Sequence, residues 1–118
     1  MSVFRWCVVA VVAAIAGPAS AEFAKVASQQ EFISLIEGKE LRRPLVKIEV
    51  LSGGEISGTG AAWPVTGNWT WSDGYFCRDL FWGGDPLGYN CQEVMAADGR
   101  IRFTSDRGAG PSAEFRMR

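Results

Sequence analysis

Residues 45–51 alternate strictly, with Val46, Ile48 and Val50 on one side of the chain and Lys47 and Glu49 on the other. That is the period of a β-strand with one wet face. Residues 56–63 read as the next strand after a Ser52-Gly53-Gly54-Glu55 turn. Gly58 and Gly60 within it suggest strong bending or a bulge, as at a barrel corner, and Pro64 and Gly67 close it. Residues 68–82 follow as a hairpin, with aromatic runs flanking Asp73-Gly74, the dipeptide favoured by a two-residue type I′ turn. A turn over 83–88, a strand over 89–96, an Asp98-Gly99 turn, a strand over 100–105, a Gly/Pro turn over 108–111 and a strand over 112–118 complete the run.

One segment is helical instead. Ser28 and Glu31 have capping-box spacing, Phe32, Leu35 and Ile36 follow at i, i+3 and i+4, and Gly38 stands where a C′ residue ends the helix. A helix this short is marginal alone and must lay its apolar stripe on something else. Residues 22–26 are either a short extended segment or a loose terminus. The pattern therefore predicts a mainly β fold: an antiparallel meander of about seven strands curled into a small barrel or half-barrel, with the N-terminal helix plugging an end or covering an open face.

A register follows from the turns and cysteines. A two-residue loop at Asp73-Gly74 pairs Trp71 with Phe76 and Trp69 with Arg78. Setting Cys77 opposite Cys91 pairs Phe76 with Gln92 and Arg78 with Asn90, and the Asp98-Gly99 turn pairs Val94 with Phe103 and Ala96 with Ile101. The alternations agree. Trp69, Trp71, Phe76, Leu80, Trp82, Val94, Ala96, Ile101 and Phe103 share one face, which is assigned to the inside. The cysteines share the other face with Thr70, Ser72, Tyr75, Asp79 and Glu93, and are assigned to the outside.

Composition sets the compartment. Arg5, the apolar run 6–16 and the small residues before Ala21 form a signal peptide over residues 1–21, too short in its apolar part to span a bilayer. Removing these 21 residues from 118 leaves 97, a single domain over 22–118 with 11 basic and 13 acidic side chains and no membrane span. With no basic surplus, nucleic acid is not an expected partner, although residues 100–118 form a mildly basic end. Two cysteines in an exported chain point to a Cys77–Cys91 disulfide and a periplasmic or secreted location. With no histidine in the sequence, they do not complete an ordinary zinc site, and no metal or cofactor is implied.

The register places three polar residues, Arg78, Asn90 and Gln92, on the apolar face, where each needs a hydrogen-bond partner or water. This points to a cavity with aromatic walls, Trp69 and Trp71 among them, in which Arg78 meets an anionic or carbonyl group. Without histidine there is no Ser-His-Asp or Cys-His arrangement, which leaves carboxylates as the means of any catalysis. Gly58-Thr59-Gly60 lacks the third glycine of a dinucleotide fingerprint and has no βαβ context.

Trp69-x-Trp71-x-Asp73-Gly-Tyr-Phe-Cys77-Arg78, then Tyr89-Asn-Cys91-Gln92 and Ile101-Arg-Phe-Thr-Ser-Asp106, resemble a family of small exported bacterial proteins of unknown function, often labelled dihydrodipicolinate reductase. The label would imply a nicotinamide-binding α/β enzyme; the resemblance carries over no catalytic residues. Read from its residues, the chain is expected to be a non-enzymatic exported barrel that binds a small ligand or a protein partner. A small periplasmic enzyme using carboxylates and a structural or inhibitory interaction protein are the alternatives.

Overall fold

A computed structural model of the chain describes residues 22–118, and the expected signal peptide, residues 1–21, lies outside them. Local chemistry starts the helix where its spacing predicts. Ser28 Oγ accepts from the Glu31 amide (3.1 Å), and the Glu31 carboxylate reaches back to the Ala27 amide (3.3 Å), opening α1 (Gln29–Ile36). The helix buries Phe32 and Ile36.

Eight strands close a barrel: β2 (Leu41–Arg43), β3 (Val46–Val50), β4 (Glu55–Gly60), β5 (Trp63–Ser72), β6 (Tyr75–Trp82), β7 (Asp85–Ala97), β8 (Arg100–Thr104) and β9 (Ser112–Met117). Each pairs antiparallel with the next, and β9 returns to β2. A ninth strand, β1 (Ala24–Lys25), adds to β7 opposite Met95 and Ala96. The expected mainly β meander with one helix is therefore observed, and the barrel is closed. All ladders are antiparallel, so the α/β architecture implied by the reductase label is not the fold of residues 22–118.

The strands beyond the expected seven are β1 and β2, and two turns that lack the usual turn residues account for the missed β2 and for a displaced strand boundary. Pro44-Leu45 joins β2 to β3 with Leu45 at φ 66°, where a type II turn ordinarily carries glycine. The segment before Pro44 is thus a strand. Ala61-Ala62 joins β4 to β5 with Ala61 at φ 52°, so the run 56–63 is not one strand: Gly60 ends β4 and Trp63 begins β5. Pro64 does not end a strand but sits inside β5, at a position paired with β4 only, where its missing N–H removes no β6 ladder bond. Asp73-Gly74, at φ 53° and 83°, is the predicted two-residue turn.

The predicted register holds in the central hairpins. Trp71 faces Phe76, Trp69 faces Arg78, Phe76 faces Gln92 and Cys77 faces Cys91; Val94 faces Phe103 and Ala96 faces Ile101. Beyond Leu80 it shifts by one residue, leaving Leu87 as a bulge in β7. The inside-outside assignment fails at the end of β6. Trp69, Phe76, Val94, Ile101 and Phe103 are core, but Trp82 is exposed at the barrel rim, its indole Nε1 donating to Gly60 O (2.9 Å). The disulfide links the outer positions of β6 and β7, although Cys77 is only 1% exposed.

The glycines of β4 make no bulge, since its pairing with β3 and β5 is continuous. A Cβ on Gly58 would stand 2.0 Å from Lys47 O, and one on Gly67 would stand 2.2 Å from Asp79 O. Only glycine allows neighbouring backbones to approach so closely.

Candidate functional site

In a meander, alternate turns share an end. The turns after β3, β5 and β7 lie at the helix end, where Phe32 is surrounded by Trp69, Trp71, Phe76 and Phe103 at ring-centre distances of 5.1 to 6.3 Å. The helix plugs this end with an aromatic core. Trp69 is 4% exposed and donates its Nε1 to Leu51 O (2.8 Å).

Above this plug the barrel interior is not filled. A cavity of about 160 Å³ is lined by Ile48, Val50, Ile56, Phe76, Arg78, Leu80, Gln92, Phe103, Ala113 and Phe115, from six of the eight strands and none from the helix. Its walls are apolar but for Gln92 and Arg78, and among the described residues Arg78 is its only charged side chain. Gln92 is 9% exposed and donates its amide Nε2 to Ser105 Oγ (3.1 Å).

Arg78 is only partly satisfied. Its Nη1 donates to Gly88 O (2.6 Å), while Nε is shut off from solvent and has no acceptor. A buried donor left in this state is costly, about 1–3 kcal/mol and more for a charged group. Burial lowers the guanidinium pKa below that of an ordinary arginine, opposed by the carboxylate of the adjacent Asp79.

The structure thus brings Arg78 and Gln92 together in one cavity. Asn90 is not with them: its amide exchanges two hydrogen bonds with Asp106, Nδ2 to Oδ1 (2.8 Å) and Asp106 N to Oδ1 (2.9 Å). This holds the 3-10 turn Asp106–Gly108 against β7, with Asp106 and Arg107 both at φ 54°. Trp69 and Trp71 do not line the cavity either; they pack beneath the helix at the plugged end. Phe103 and Phe115 provide the aromatic walls that these tryptophans were expected to supply. The register had already placed Phe103 inside, and alternation in the last strand was the signal that could have identified Phe115.

Among the described residues, no group of three His, Cys, Asp or Glu stands where it could hold a metal ion, and no helix is long and apolar enough to cross a membrane. No family model, curated protein or solved structure matches the chain.

Proposed function

We propose that this protein is a non-enzymatic, exported binding module whose barrel cavity takes a small apolar acid, with the anionic group on Arg78. The single observation that carries this reading is a lone cation with an unpartnered buried N–H in an otherwise apolar cavity. The volume suits a ligand of benzene size, since a cavity of about 150 Å³ holds benzene. Gln92 supplies a second polar contact, and Phe76, Phe103 and Phe115 supply the walls. No carboxylate lines the cavity, which favours binding over acid–base catalysis there. The Cys77–Cys91 bridge supports a periplasmic or secreted location, where disulfides persist.

The test is calorimetric titration with benzoate, using benzyl alcohol as its neutral counterpart. Benzoate binds and benzyl alcohol binds far more weakly. Arg78→Met abolishes the preference, weakening benzoate by about 2–5 kcal/mol, while the melting temperature stays level or rises because a buried charge has been removed. Equal binding of the two probes, or a loss of about 3–5 kcal/mol in stability, would instead make Arg78 a structural residue.

A protein partner is the second reading, favoured by the barrel rim. Leu45 (80% exposed), Trp63 (59%), Leu87 (54%) and Trp82 (40%) cluster at the turns opposite the helix. Trp63→Ser with Leu45→Ser leaves benzoate affinity unchanged and removes partner capture if this rim is the interface.

A further inference from the structure

Three neighbouring strands set arginines in one row on the outside of the barrel. Arg42 of β2 lies opposite Arg116 of β9, which lies opposite Arg100 of β8. The alternate positions Leu41, Ile101 and Phe115 are buried inside. At about 4.8 Å per strand the row spans about 10 Å, and like charges set directly opposite one another destabilise a sheet.

The ladder between β2 and β9 is only two pairs long. At this seam lies a cleft of about 560 Å³, lined by the three arginines of the row together with Arg43, Pro44, Arg118, Glu114 and Phe115. Acidic neighbours offset part of the charge. Glu40 pairs with Arg42, and Glu114 holds Arg100 (3.4 Å) and Arg102 (3.0 Å). Five arginine side chains line the cleft, and against these two carboxylate side chains they leave a surplus of three side-chain charges. Among the described residues Arg116 and Arg118 have no carboxylate partner, and the Arg43 guanidinium lies 5.7 Å from the centre of the Phe115 ring.

We propose that this cleft is a second site, independent of the cavity, for a ligand carrying two phosphoryl groups. Arginine forks match both carboxylates and phosphates, but a phosphoryl group brings about −1.5 to −2 charge and three acceptor oxygens. One such group bridges two neighbouring arginines, which a carboxylate does less well. Two of them neutralise the three surplus side-chain charges of the cleft, of which only Arg116 lies in the row of about 10 Å, and the cleft falls in the usual size range of small-ligand sites. The ligand is either a soluble diphosphate ester or the headgroup of a bisphosphate lipid.

Inorganic pyrophosphate titrated into the purified protein at low salt is the probe. It binds saturably at one site, and Arg116→Gln weakens it about tenfold or more, while Arg78→Met leaves it unchanged. Arg116→Gln melts at or above the wild-type temperature, because it relieves opposed charges, so weakened binding is not a folding defect. Vesicles of phosphatidylcholine with cardiolipin at about one in ten separate the sources. Recruitment that Arg116→Gln abolishes assigns the lipid headgroup, and pyrophosphate binding without recruitment assigns a soluble ester. Binding of neither probe, indifference to Arg116→Gln, sulfate matching pyrophosphate at equal ionic strength, or tighter binding of an oligothymidylate would each overturn the proposal.

Discussion

Replacing Phe32 with alanine tests whether one helical side chain holds the barrel end shut. The ring is 0% exposed and touches Phe76, Trp69, Trp71 and Phe103, residues from three strands. Core Phe→Ala changes cost about 3–5 kcal/mol, and the cost is highest where the surroundings cannot collapse into the void. Here they cannot, because β5, β6 and β8 are all tied into a closed ring. The described domain has a total stability of about 5–15 kcal/mol, so the substitution removes about a fifth of it or more. At about 4–8 °C per kcal/mol for a domain of this size, the melting temperature falls by about 12–40 °C. Thermal melts by circular dichroism, with the near-ultraviolet tryptophan signal followed in parallel, measure this. Phe32→Leu fills most of the volume and serves as the control, with a loss of about 1–2 kcal/mol. A fall of less than about 5 °C for Phe32→Ala would show that the helix does not close the barrel, and would refute the account of the aromatic plug.

Two further predictions concern the frame. Cys77→Ala with Cys91→Ala opens a loop of fourteen residues' separation and lowers stability by about 3 kcal/mol without abolishing the fold, as read by urea melts; two free thiols in the wild-type protein by mass spectrometry would remove the premise. Gly58→Ala forces a Cβ to within 2.0 Å of Lys47 O, so β3 and β4 must part, at a loss of about 2 kcal/mol or more; an unchanged denaturation midpoint would show that this crossing is not tight. The pKa of Arg78, lowered by burial, means that the folded state disfavours the charged form of this side chain. That penalty is present at every pH below the folded value and is relieved only as pH rises through it, so Arg78→Met raises stability at neutral pH with no pH dependence between about 5 and 9.

Legibility followed the strength of the local chemistry. The Asp73-Gly74 turn and the alternation on either side of it set Trp69 against Arg78, and the cysteine pair extended the same register to Gln92. The inward position of Arg78 is therefore readable from the sequence alone. Turns at Pro44-Leu45 and Ala61-Ala62 were not readable, because leucine and alanine in the left-handed region carry no compositional mark. Missing β2 also hid the arginine row, since Arg42 meets Arg116 only when the barrel closes. The separation of Asn90 from Gln92 depends on Asp106, a contact between a strand and a distant turn that no periodicity encodes.

The closing seam also bears on how the chain folds. Within the ring every ladder but one joins consecutive strands and so forms between near neighbours in sequence. The pairing of β2 with β9 alone joins the two ends of the barrel chain, and it rests on two residue pairs. Loop-closure entropy for nearly the whole domain is thus concentrated in one step that brings little immediate return. The meander, its disulfide included, can assemble as an open curl, with ring closure as the late event. Substitutions at Leu41 or Met117 should then speed unfolding while leaving the folding rate nearly unchanged, whereas changes in the β5–β6 hairpin slow folding itself.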